Sequence, residues 1–293
     1  MAATESNSQT FKVAFLLCLV CSVLVSAAAV SLRDRQNANK QNDKKKNILI
    51  AAGLYDESRG AIVENDDVPS GTTLSDLFEK PQAGSKGHAW IETQIIDLRT
   101  GQPIDESARK LIEKRFGSVA NYDQRKASRD PSPDWTQPIP AEKDIASIKR
   151  REHFAAVYVV HKSDGTLDQI VLPIRGYGLW STLWGFISLD ADLRTIRGLT
   201  FYEHAETPGL GGEVDNVNWK SLWKGKYAFG ENGKVQIRVI KGQVDPRSDD
   251  AKYKVDGLSG ATITSNGVSN MMKYWLGPDG FGPYLDWLKK QKK

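Results

Sequence analysis

"HFAAVYVVHKSDGTLDQIVLPI", residues 153–174, sets two apolar runs on either side of an Asp-Gly pair. Both runs are rich in β-branched or aromatic residues, the composition of strands. Asp164-Gly165 supplies the backbone freedom that a tight hairpin turn needs. The two runs are therefore expected to pair antiparallel. Further strands are expected at "AWIETQIIDL" (89–98), "LWGFISLD" (183–190), "IRGLTFYEH" (196–204) and "KVQIRVIK" (234–241). Val268, Met271, Met272 and Trp275 follow the i, i+3, i+4, i+7 spacing of an amphipathic helix. A short helix is expected at "LSDLFEK" (74–80), and another, "GPYLDWLKK", carries lysines near its C-terminal end. Residues 117–141 hold four prolines among polar residues and read as a long surface loop or insertion. The sum is an α+β fold, a largely antiparallel sheet with flanking helices.

The chain has 293 residues, enough for one or two domains with a sizeable core. The net charge of +4 is concentrated in Arg33, Arg35, Lys40 and Lys44 to Lys46, and in Lys289, Lys290, Lys292 and Lys293. Without those runs the body is slightly acidic, which disfavours nucleic acid as a partner. The two cysteines, Cys18 and Cys21, both lie near the N-terminus. The body therefore carries neither a disulfide framework nor a cysteine-based metal site. Its four histidines are scattered without metal-ligand spacing, so no metal site is expected.

Residues 13–32, "VAFLLCLVCSVLVSAAAVSL", contain no charge and suit one helical span of a bilayer core roughly 30 Å thick. A cleaved signal peptide competes, because "SAAAVS" offers small residues at a cutting site. The run is longer than a signal core of about 7–15 residues, and only Lys12 stands as a cation before it, which favours an uncleaved anchor. Residues 1–12 then form a short tail, 33–60 a helical stalk, and 61–293 the folded domain, with the insertion at 117–141. Basic residues cluster after the span, which by the positive-inside rule would place the body in the cytoplasm.

"VDGLSGATITSNGV", residues 255–268, gathers glycines and hydroxyls just before the last long helix. "GLSGA" approaches a nucleophile elbow. A hydrolase of that type needs a histidine after the serine, and the last histidine is His204. An anion-binding reading is stronger: Gly257 and Gly260 admit close backbone approach, and a helix starts nearby with Thr264 or Ser265 as expected N-cap. No Walker lysine and no Gly-x-Gly-x-x-Gly is present. The plain alternative is a turn whose hydroxyls satisfy backbone donors.

"DGLSGATITS" resembles the Asp-x-x-(Ser/Thr)-Gly-Ala-Thr motif of the covalent FMN-binding domain family. Two further stretches, "GYGLWSTLWGFISLD" (176–190) and "EHAETPGLGGEV" (203–214), are similar to companion motifs of the covalent-FMN subunits of Na+-translocating NADH:quinone reductases, and of their relatives in Rnf-type electron-transport complexes. The resemblance implies FMN held by a phosphoester bond to Thr262, installed from FAD by a separate flavin transferase. It assigns Asp256, Ser259, Gly260 and Ala261 to the attachment motif. Glu206, Thr207, Gly209 and Leu210 would border the flavin ring, with Gly178, Leu179 and Trp180 as a second wall. Taken singly, Leu179, Trp180 and Leu210 are equally ordinary packing residues, and Glu206 an ordinary loop acid.

The resemblance further implies an electron-carrier subunit with no catalytic residue of its own. It would work among the other subunits of a membrane reductase that couples NADH:ubiquinone electron transfer to sodium export. It also implies a bacterial inner-membrane location with the flavin domain on the periplasmic side, against the charge count above. The long region 81–150 favours the quinone-reductase subunit over its Rnf relative. A tethered, non-redox binding module is the reading from a different class.

Overall fold

The computed structural model describes residues 7–82 and 87–291. Residues 1–6 of the expected tail and the terminal Lys292 and Lys293 lie outside the described residues. The chain divides into two compact units between Lys45 and Lys46.

The first unit is helical. Helix α1 runs from Asn7 to Ala51, so residues 7–12 are already part of it. Its stretch Ser8–Arg33 has a mean hydropathy of 2.8, is fully exposed, and is long and apolar enough to cross a membrane. Past Ala51 the chain leaves the helix at Gly53, whose φ of +69° suits glycine.

The second unit is built on one sheet. A two-residue hairpin, β1 (Tyr55–Asp56) and β2 (Ala61–Ile62), precedes it. The sheet contains β3 (Trp90–Asp97), β4 (Gln102–Pro103), β7 (Phe154–His161), β8 (Leu167–Tyr177), β9 (Thr182–Asp190) and β10 (Ile196–Glu203). Their spatial order is β10-β9-β8-β7-β3-β4, antiparallel throughout. Small ladders outside it pair β5 (Thr136–Pro138) with β6 (Arg150–Glu152), and β11 (Arg238–Val239) with β12 (Lys254–Val255). The fold is α+β, as the hairpin reading predicts.

Both faces of the sheet are covered, which is why β7 reads as an unbroken apolar run. On β7, Ala155 and Val157 face one core with Ile170, Leu172, Leu183 and Ile187. Ala156, Tyr158 and Val160 face the other, with Ile91, Ile95, Phe186, Ile48 and Leu49. The first core is closed by α5 (Thr262–Trp275), through Val268, Met271, Met272 and Trp275, and by α6 (Gly282–Gln291) through Tyr284 and Leu285.

Four details depart from the sequence reading. Residues 117–141 are not a surface loop. They include α3 (Gln124–Ser128) and β5, and they bury Tyr122, Ala127 and Trp135 in the second core. An unexpected helix, α2 (Glu106–Phe116), precedes them, capped by Asp105, whose carboxylate accepts from Ala108 N–H at 2.8 Å. The expected strand at 234–241 shrinks to β11. The expected helix at 74–80 is one 3-10 turn, Asp76–Phe78, seating a buried Leu77.

Candidate functional site

Three loops far apart in sequence converge on one side chain, Glu206. The first is the turn from β8 to β9, Gly178 to Ser181. The second runs from the end of β10 to Gly212. It makes a turn at Gly209, where φ is +75°. In that turn the Thr207 carbonyl accepts from Leu210 N–H at 3.1 Å and Gly212 N–H at 2.9 Å. The third loop leads into α5.

Glu206 is only 5% exposed. Its carboxylate accepts from the N–H groups of Leu179 at 3.1 Å, Trp180 at 2.9 Å and Ser181 at 3.1 Å, and from the Thr264 hydroxyl at 2.7 Å. A buried charge is tolerated when its lone pairs are satisfied in this way. Burial opposes its ionisation. The Thr264 hydroxyl and the Trp180, Leu179 and Ser181 N–H groups outweigh that and hold the carboxyl below its ordinary value. The carboxylate thus faces inward, fixing the loops. Space around it is tight. A Cβ on Gly178 would lie 2.7 Å from Glu206 Oε1, and one on Gly211 would lie 2.6 Å from Thr264 Oγ1. His204 packs beneath, its Nε2 2.6 Å from Asp215 Oδ2 and its Nδ1 accepting from Glu206 N–H at 3.2 Å. The two contacts together place the ring proton on Nε2.

The third loop is held equally firmly. Asp256 does not point into open space: its Oδ1 accepts from Val244 N–H at 2.9 Å, and its carbonyl from the Trp219 indole at 2.9 Å. Gly257 lies against the Ile240 carbonyl, where no side chain fits. The helix starts earlier than the sequence suggests. Thr262 is its first residue, and Ala261 at the cap offers no side-chain acceptor. Thr264 and Ser265, the expected caps, are buried and serve the loop instead. Ser265 Oγ accepts from Leu258 N–H at 3.1 Å.

That accounting isolates two hydroxyls. Ser259 and Thr262 are exposed and have no hydrogen-bond partner among the described residues. Gly260 between them, at φ +67°, lies against the Leu210 side chain. On these joined loops stand large apolar side chains facing solvent: Trp180 at 66%, Ile263 at 57%, Leu210 at 44% and Leu179 at 39% exposed. Isolated exposed apolar residues need no explanation, but a cluster on loops fixed from beneath marks a binding surface. The site therefore combines an unengaged hydroxyl at an uncapped helix start, where an anion is favoured, with an apolar surround for a flat ring. Those features fit a phosphate-linked aromatic group, FMN included. Trp219 and Trp223 are buried in the first core, away from this surface.

Sequence reasoning named Glu206 but not its partner Thr264 or its inward carboxylate. A hydrogen bond between residues 58 apart leaves no local pattern to read.

Residues 178–277 match the FMN-binding domain family. The crystal structure of Shewanella oneidensis NqrC superposes with a TM-score of 0.67 at 33% identity, covering 86% of this chain and 99% of that one. The chain is 44% identical over 290 residues to the corresponding subunit of the Na(+)-translocating NADH-quinone reductase of Pseudomonas aeruginosa, covering 99% of each. It is 41% identical to that of Vibrio vulnificus, covering 97% of this chain and 96% of that one.

Proposed function

The chain belongs to the NqrC family, subunits of the Na(+)-translocating NADH-quinone reductases, and we propose that it is a flavin relay with FMN esterified through its phosphate to Thr262. The observation that carries the reading is the unengaged, exposed Thr262 hydroxyl at the first residue of α5, in a loop whose other threonine is already bound to Glu206. FMN supplies one- and two-electron chemistry, and the protein supplies position and surroundings. The N-terminal turn of α5 favours the phosphodiester charge. Gly260 keeps the backbone low beside the linkage, and Leu179, Trp180, Leu210 and Ile263 offer apolar contact to a ring. Glu206 and Asp256 act from behind, holding the loops in shape.

The wider assignment follows the relatives. The subunit works among other membrane subunits in a reductase that couples NADH oxidation and ubiquinone reduction to sodium export. A flavin transferase matures it. Helix α1 anchors it in the bacterial inner membrane through Ser8–Arg33, with the flavin domain on the periplasmic side. A full-length relative named as the quinone-reductase subunit favours this reading over the Rnf counterpart.

The test is a denaturing gel under ultraviolet light after co-expression with a flavin transferase. The unaltered chain is expected to show a fluorescent band and Thr262→Val none, with unfolding behaviour unchanged. A band of equal strength in Thr262→Val would overturn the assignment.

A further inference from the structure

Behind the turn that carries Leu179 and Trp180 lies a half-open cleft of about 420 Å³, lined by Arg125, Arg129, Arg175, Ser181, Trp184 and Glu203. Three guanidiniums face one carboxylate there. Arg175, on β8, is 6% exposed and sits opposite Trp184 of β9 in the ladder. Its Nη2 donates to Glu152 Oε2 at 2.6 Å and to the Arg150 carbonyl at 2.8 Å, while its Nη1 has no partner among the described residues. Arg125 of α3 pairs with Glu203 through both terminal nitrogens, and its guanidinium lies 5.2 Å from the Trp184 ring centre. Arg129, at the end of α3, is exposed and has no ion pair among the described residues. Glu203 is neutralised by Arg125 and Glu152 by Arg175, so Arg129 leaves the cleft cationic.

The cleft and the proposed flavin surface share a wall. Ser181 lines the cleft, and its N–H and hydroxyl both bond Glu206 while its oxygen accepts from Ala205 N–H at 2.8 Å. An anion held by the arginines therefore lies one turn from Leu179 and Trp180. Protein interfaces place charged rims around apolar centres, and guanidinium groups grip carboxylates in a forked, directional manner. We propose that the Arg125–Arg129–Arg175 cleft is a docking socket for a carboxylate side chain of the protein that exchanges electrons with this subunit, so that the partner's approach is registered against the flavin surface. The inference rests on the relay reading.

The test uses the assembled complex. Arg129→Glu changes an exposed side chain outside both cores and leaves the attachment loop untouched. Stopped-flow reduction of the attached flavin by NADH is expected to slow by about tenfold at low ionic strength. It is expected to converge with the parent at high salt, where such steering is screened. Arg129→Lys is expected to keep most of the rate. An unchanged rate and salt dependence in Arg129→Glu would overturn the proposal. So would loss of its fluorescent band, which would assign the cleft to attachment. The band of the unaltered chain, read on the same gel, separates a failure of the relay reading from a failure of this one.

Discussion

The Thr264 hydroxyl donates to the Glu206 carboxylate across 2.7 Å, and through it the first turn of α5 is tied to the β8–β9 turn and to the loop after β10. Replacing Thr264 by Val keeps the shape and removes the donor. The expected cost is about 1–3 kcal/mol, the range for a buried polar group losing a partner. A lowered urea midpoint with an unchanged slope would register it. Flavin loading is expected to fall in parallel, although Thr262 itself is untouched.

Acid should release the same junction. The Glu206 carboxyl is held below its ordinary value of 4.5, so its folded form ionises more readily than its unfolded form. Its contribution to stability is then complete above pH 4.5 and is lost as pH falls through the lower folded value. Thermal unfolding measured across this range is expected to fall more steeply for the parent chain than for Glu206→Gln. Parallel curves would remove Glu206 as a source of acid sensitivity.

Glycine substitutions should grade with the space available. Gly178→Ala and Gly211→Ala each drive a methyl group into the Glu206–Thr264 pair, at 2.7 Å and 2.6 Å from its nearest oxygen. Overpacking of that kind costs about 1–3 kcal/mol. Gly209→Ala meets nothing within 4 Å and suffers only its left-handed backbone, about 1 kcal/mol. Denaturant midpoints of the three variants give the order directly.

Asp256 separates loop shape from cofactor contact. Asp256→Ala leaves the Val244 N–H without its acceptor and frees the connection between β11 and β12. A partial loss of the flavin band is expected, together with a lowered unfolding temperature. Ser259→Ala, at an exposed hydroxyl without partners, is expected to lower neither by much. A fully unloaded Ser259→Ala would shift the attachment role within the motif.

Trp180 tests the surface itself. At 66% exposed, its removal is expected to change stability by less than about 0.5 kcal/mol. Trp180→Ala is nevertheless expected to shift the absorption and emission of the attached flavin. An unchanged spectrum would place the ring elsewhere.

Much of the fold was legible because period and turn chemistry are local. The Asp164-Gly165 turn placed β7 beside β8, and the Val268–Trp275 spacing marked the face of α5 that enters the first core. What escaped depended on partners remote in sequence. Prolines at 131, 133, 138 and 140 suggested a surface loop, yet Trp135 and Ala127 pack under the sheet, because burial is decided by what folds over a segment. Helix α2 was signalled by Asp105 and Gly117 at its two ends and was missed for want of a wide apolar stripe. Within the site, Thr262 stood out in the motif. Its helical start did not, since Thr264 and Ser265 look like caps until Glu206 and Leu258 claim them.

Thr262 opens a helix of fourteen residues whose inner face is locked into the core. A prosthetic group hung there is on a short leash: its post cannot swing, and its reach is limited to the few single bonds of the linkage itself. A carrier built this way does not travel between donor and acceptor. The journey must be made by its neighbours, and the pace of the relay is set by how often they come within range.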